Sequence, residues 1–244
     1  MSPRVTLATA RRVARQLRRD PRTLALVFVV PPALLALLKW IFDNDPGAFE
    51  RIGAPLVGLF PLIMMFLITS IAMLRERTTG TLERLMSMPL AKLDLLLGYG
   101  LAFAAVAAVQ AGITAGVAFG LLDVETAGPV WGVIALAVGN AILGMALGLF
   151  LSAFATTEFQ AVQFMPAFVL PQLLLAGLFL PRERMPDAVQ TIADALPFTY
   201  AYDGLARVAA DDIGGRLWLD AGVVAGCVAL ALLLGAMTLR RRTT

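Results

Sequence analysis

Residues 52–74, IGAPLVGLFPLIMMFLITSIAML, run for 23 positions without one Asp, Glu, Lys or Arg. The next twenty, RERTTGTLERLMSMPLAKLD (75–94), are dense in charge. A helix needs about 20 apolar residues to cross a hydrocarbon core of about 30 Å. The first stretch therefore reads as a membrane span and the second as the loop that leaves it. Charge-free runs of the same kind recur at 23–38, 95–122, 126–157, 159–181 and 221–239. The first of these is short. Lys39 can extend a snorkelling stem, which lengthens the span to Leu24–Phe42. The runs lack the ten-residue alternation of a membrane barrel, and backbone groups in lipid must bond within their own segment. The expected fold is thus all-α and integral to the membrane, with six transmembrane helices in a single domain over 1–244.

Composition agrees. Hydrophobic residues make up 59% and charged residues 15%, against about 45–50% and about 25% in soluble domains. The single cysteine, Cys227, allows no internal disulfide, and there is no histidine. The commonest general base and metal ligand is therefore missing. Arginine outnumbers lysine 18 to 2, which reads as a GC-rich bacterial genome; the location expected for such a multi-pass chain is the bacterial inner membrane.

Orientation follows from Lys and Arg. With the N-terminus inside, 14 of 20 basic residues fall on cytoplasmic segments, at Arg4 to Arg22, Arg75 to Lys92 and Arg240 to Arg242. Outer segments take 12 of 17 acids, among them Asp43, Asp45, Asp123, Glu125, Asp211 and Asp212. Both termini are then cytoplasmic. A cleaved signal peptide is not expected, because the polar lead is long and Pro31-Pro32 interrupts the apolar run.

Residues 1–22 read as an interfacial helix. Ala10, Val13, Ala14 and Leu17 share one face and Arg11, Arg15, Arg18 and Arg22 another. Such a helix lies in the headgroup layer with its arginines on anionic lipid. No nucleic-acid partner is expected. In the loop 75–94, Leu82, Leu85 and Met86 fall on one face and Pro89 ends any helix, so one short amphipathic helix begins near Gly80. Small-residue rows (Gly112, Gly116, Gly120; Gly144, Gly148; Gly222, Gly226) allow close helix contact. The fifth span, Phe159–Leu180, is interrupted by Pro166 and Pro171. In the outer segment 181–218, Met185, Ala188, Val189, Ile192 and Leu196 form an apolar stripe. It predicts one or two short helices dipping into the outer leaflet.

No Gly-x-x-x-x-Gly-Lys-Ser/Thr loop occurs in the sequence, so nothing in it cradles a nucleotide phosphate. No Cys or His cluster offers a zinc site, and no acid sits mid-span to couple transport to ions. Energy for any transport has to come from another chain.

The loop RERTTGTLERLMSMPL resembles the signature of type-2 ABC exporter permeases, the class of daunorubicin-resistance and polysaccharide-export membrane subunits. The stretch from Glu158 through PAFVLPQLLLAGLFLPRERMP to LPFTYAYDGL resembles the same family, with a broken fifth helix and re-entrant outer helices. The resemblance implies a homodimer in which each copy docks on a separate nucleotide-binding subunit that holds ATP and Mg. The short helix Thr81–Met88 is then the coupling helix. Glu76, Gly80, Thr81, Leu82, Glu83, Leu85 and Pro89 match the family pattern. Catalytic and metal-binding residues are expected to be absent, and the chain itself is not expected to be an enzyme. The resemblance also implies a route along spans 2 and 5, with Phe60, Met64, Met65, Gln163, Phe164, Phe168 and Gln172 as lining candidates. Met and Phe give an adaptable apolar wall. The expected cargo is hydrophobic or amphipathic. Export of a lipid-linked glycan is the alternative within this architecture, and a non-transporting membrane scaffold is the alternative outside it.

The short second inner turn, near Ala155–Glu158, departs from the expected pattern because it carries no Lys or Arg. Glu158 is either a second ATPase contact or the polar end of the fifth span.

Overall fold

The computed structural model describes residues 2–86 and 91–238. Among them the chain is helical, without strands. The helices are α1 (Pro3–Arg18), α2 (Pro21–Ile41), α3 (Pro46–Thr78), α4 (Thr81–Met86), α5 (Lys92–Gly120) and α6 (Val130–Leu151). They continue with α7 (Glu158–Leu175), α8 (Asp187–Asp194), α9 (Pro197–Ala209) and α10 (Gly215–Thr238). Short 3-10 turns sit at Ser152–Phe154 and Arg182–Arg184.

Where the sequence predicts six spans, five helices among the described residues are long and apolar enough to cross a bilayer: α2, α3, α5, α6 and α10. The sixth candidate, α7, has 18 residues and is about 27 Å long. Its C-terminal end unwinds over 176–180, where Gly177 adopts φ +103°. It still runs the depth of the bundle. Glu158 at its start pairs with Arg75, while Leu173 and Leu178 beyond its middle join the cluster around Leu35, Phe49 and Leu205.

The two ends of the bundle differ in chemistry. At the basic end lie α1, the C-terminus of α3, the N-termini of α5 and α7, and Thr238 of α10, which accepts from Arg77 at 3.3 Å. At the opposite end, Lys39 stands 5.5 Å over the Phe49 ring and Thr126 donates to the Ala209 carbonyl. Trp40, Trp131 and Trp218 are each more than 70% exposed. All three occupy that opposite end, where amphipathic rings mark a headgroup boundary.

The centre is the α3–α6 pair. A Cβ on Gly144 would lie 2.0 Å from the Leu62 carbonyl oxygen, and one on Gly148 would lie 2.4 Å from that of Phe66. Only glycine lets the two backbones approach this closely. The sequence reading of small rows holds here and not elsewhere within the chain. Gly112, Gly116 and Gly120 of α5, and Gly222 and Gly226 of α10, have open space beside them.

Two further expectations change. The predicted apolar face of the N-terminal segment turns inward. Ala10 and Val13 join the protein core with Leu17 packed against it, while Ala14 is exposed. The close fit of Thr9 over Gly98 of α5 explains this, because α5 offers α1 a glycine-lined seat. The helix ends at Arg18, and Asp20 caps α2 by accepting from the Thr23 amide at 3.2 Å. Within residues 181–218 the predicted stripe is split. Ala193 is the buried residue of α8 while Ile192 is 56% exposed, and Leu196 caps the separate helix α9.

Candidate functional site

The sequence-matched loop begins where α3 stops. The Thr79 amide and hydroxyl both bond the Arg75 carbonyl, the hydroxyl at 2.7 Å. Gly80 then takes φ +71°, a left-handed conformation that glycine enters without a Cβ penalty. Gly80 thus closes α3, and its carbonyl accepts from the Arg84 amide to open α4. Six residues cannot hold a helix in water unaided, since nucleation is unfavourable. Leu82 provides the anchor. It is buried in the main core, and Leu85 packs against the same cluster. Full burial of a leucine contributes about 1.5–3 kcal/mol. The apolar face expected to fit a partner's groove is therefore engaged, in part, by the chain's own core. Arg84 is exposed on the remaining surface. Thr81 is half-buried. Glu83 lies within α4, and Pro89 falls outside the described residues.

Glu76 departs most from expectation. It does not face outward from the loop but is 7% exposed. Arg12 of α1 donates to its Oε1 at 3.0 Å and Gln16 at 3.3 Å. The second arm of Arg12 reaches the Tyr99 hydroxyl of α5 at 2.7 Å. One carboxylate thus ties α1 to α3 beside α5. Nearby, the Ser2 amide donates to Asp94 Oδ2 at 3.1 Å.

The turn near Ala155–Glu158 joins the same assembly. Arg75 grips Glu158 with two bonds, Nε at 2.7 Å and Nη2 at 3.0 Å. The planar fork matches the carboxylate in bidentate fashion. This pairing holds the Glu158 carboxyl below its ordinary range, through the hydrogen bond first. Glu158 is thus the polar start of α7, locked to the residue just before the α3–α4 turn. Arg12, Gln16, Arg75 and Glu158 supply connections that sequence reasoning missed, because a pairing 60 to 83 residues apart leaves no periodic signal.

The proposed lining residues do not form one surface. Met65 is fully buried in the main core. Gln172 is 3% exposed, and its Nε2 donates to the Phe168 carbonyl at 3.0 Å. That carbonyl is not the one Pro171 leaves without its amide, which belongs to Ala167 four residues back. Phe60, Met64 and Phe164 are half-buried against core clusters. Gln163 and Phe168 are exposed on α7.

The geometry is a helical bundle with a rigidly braced turn at its basic end, and similarity to known proteins gives it a family. The model of the ABC-2 type transporter membrane family matches residues 4–208. The chain belongs to the ABC-2 type transporter family. Among its relatives is ABC transporter G family member 20 of Dictyostelium discoideum, 23% identical over 206 residues, covering 83% of this chain and 28% of that protein. The probable multidrug ABC transporter permease YbhR of Escherichia coli K12 is 27% identical over 150 residues, 61% of this chain and 40% of that one. The linearmycin resistance permease protein LnrN of Bacillus subtilis is 26% identical over 201 residues, 81% of this chain and 51% of that one. The chain therefore spans about half the length, or less, of the ABC-2 relatives it matches. The family match includes α1, α3, α4 and α7, the elements braced together at the basic end.

Proposed function

We propose that this chain is the permease subunit of an ATP-driven exporter that moves hydrophobic or amphipathic compounds out of the cell. In this reading a separate ABC ATPase binds ATP and Mg and docks at the α3–α4 turn, and the basic end faces the cytoplasm. The observation that carries the reading is the bracing of that turn. Arg75–Glu158 and Arg12–Glu76 connect it to α7 and α1, so a push on α4 is delivered to several helices at once. A loop that served only to reverse the chain would need no such ties. The multidrug and linearmycin-resistance names of two relatives support an amphipathic cargo. The open glycine rows on α5 and α10 suit packing by a second copy, so a homodimer is part of the proposal. Gln163 and Phe168 are its preferred lining residues, since they alone of the seven candidates are exposed on α7.

The test is transport in inside-out vesicles containing the chain together with an ABC ATPase encoded beside it. Vesicles of this orientation offer the basic end to added ATP. ATP-dependent uptake of an amphipathic dye is expected, along with no ATP turnover by the purified chain alone. Turnover by the homogeneous chain, or uptake without the ATPase, would contradict the proposal.

A further inference from the structure

Asn140 sits midway along α6, about 14 Å along the helix from Trp131 at the headgroup boundary. An amide at that depth is unfavourable unless it is bonded. Its Nδ2 donates to the Ala201 carbonyl of α9 at 3.0 Å. A carbonyl only accepts, so this bond fixes the orientation of the amide and turns Oδ1 away from Ala201. Asn140 is more than nine-tenths buried, yet Oδ1 accepts no hydrogen bond among the described residues and retains accessible surface. The side chain lines a cavity of about 260 Å³ between α6, α9 and α10. Leu136 and Ile142 of α6, with Val224 and Val228 of α10, supply apolar walls. Among the described residues, Tyr200 is the one other polar side chain on the wall, and its hydroxyl donates to the Asp194 carbonyl at 2.7 Å.

We propose that this cavity binds a neutral, chain-like molecule bearing one hydroxyl, with the hydroxyl donating to Asn140 Oδ1 and the chain lying along Ile142, Val224 and Val228. Size, polarity and depth each restrict the occupant. An apolar cavity of about 150 Å³ already admits benzene, so the volume here suffices for a short chain or one arm of a lipid. A water molecule needs about 2–4 polar partners, whereas the wall offers one amide. An ordinary acyl tail would cover the walls and leave Oδ1 bare. No charged side chain lines the cavity among the described residues. The neighbouring acids Asp203 and Asp220 are paired with Arg182 and Arg207. An ammonium or carboxylate would therefore enter without a counter-ion at bilayer depth. A hydroxyl is neutral and a donor, and so meets each condition. Ala225 on the α10 wall is exposed, which opens the cavity sideways toward lipid. The hydroxyl could arrive on a membrane diglyceride or on a soluble amphiphilic alcohol, and both present the same group. The site stands apart from the α7 residues of the proposed route and does not depend on an ATPase.

The experiment uses the full chain in phosphatidylcholine nanodiscs, with a decanol carrying a mid-chain diazirine as the probe and its photo-adducts mapped by mass spectrometry. Saturable labelling is expected on α6, α9 and α10 at the cavity walls. Decanol should compete at least tenfold better than its methyl ether at equal mole fraction in the disc, because the ether keeps the chain and loses the donor. Asn140→Leu should abolish that preference. Gly139 lines the cavity and has open space beside it, so Gly139→Phe should fill the space, keep Asn140 and lower saturable labelling at least tenfold. Should Asn140→Leu fail to insert, Gly139→Phe and the wild-type preference decide. Labelling spread evenly over the lipid-facing helices, an ether that competes as well as the alcohol, unchanged labelling in Gly139→Phe, or a preference retained in an inserted Asn140→Leu would overturn the proposal. So would the absence of saturable labelling, the result expected if a second copy of the chain seals the cavity. Dioleoylglycerol added to the discs separates the sources. Competition with the probe identifies the membrane diglyceride as an occupant, and unchanged labelling assigns the site to soluble alcohols. Either result requires the hydroxyl site itself.

Discussion

At the scale of single residues, burial decides which polar groups work within the chain and which are available to a ligand. Asp203 on α9 shows the balance. Burial pushes its carboxyl up to about 6, against the pull of Arg182, with which it forms an ion pair. Its ordinary value is 3.8, so the fold favours the protonated form. The resulting stabilisation is present below about pH 4 and is lost as pH rises through about 6. Melting temperature of the wild type in detergent should therefore carry a falling component across that window, and Asp203→Asn should lack it. A component that rises there instead would show that the Arg182 pair outweighs burial. Two glutamines of α7 make a second comparison. Gln172 leaves a buried Oε1 unpartnered, so Gln172→Leu removes an unsatisfied group and should be neutral or mildly stabilising, within about 1 kcal/mol. It should leave drug selectivity unchanged, while Gln163→Leu, on the exposed side, should alter it. Selectivity that shifts with Gln172 and not with Gln163 would place the route on the other face of α7.

At the scale of elements, the glycines separate contacts made within the chain from faces left open. Gly144→Ala would drive a methyl onto the Leu62 backbone, which cannot rotate away as a side chain can. A loss of about 1–3 kcal/mol or more is expected, measurable as a lower melting temperature. Gly116→Ala enters open space and should leave the isolated chain unchanged. Equal effects at the two positions would refute the α3–α6 packing. The sequence alone could not rank these rows, because the spacing of Gly112, Gly116 and Gly120 matches that of Gly144 and Gly148. What was legible was five of the six expected spans, since charge-free runs report directly on the bilayer. Less legible was α7, whose apolar run continues to Pro181 although helix ends at Leu175. The inward turn of α1 was also hidden. Val13 and Leu17 form an apolar stripe that suits lipid and protein equally, and only the seat offered by Gly98 chooses between them. Glu76 was read as a loop residue because its neighbours are polar. Its partners Arg12 and Gln16 lie 64 and 60 positions away in the chain, too far for any local pattern to connect.

At the scale of the whole molecule, the basic end behaves as one braced unit. The α3–α4 turn is closed by Gly80, anchored by Leu82, tied to α7 through Arg75 and to α1 through Glu76. Displacement of α4 would strain two charge-assisted pairs, so the helices should move with it. In the proposed function a separate ATPase engages this turn. Co-purification of the chain with the ABC ATPase, followed by measurement of ATP turnover, tests it most directly. Arg84 is exposed, so Arg84→Glu should leave insertion intact. Leu85→Asp, at a half-buried position against the chain's own core, should in addition loosen α4. Wild-type chain should retain the ATPase and raise its turnover, and both variants should lose at least nine-tenths of the retained ATPase. Full retention with undiminished export in an inserted Arg84→Glu and Leu85→Asp would show that the α3–α4 turn is not where the two proteins meet.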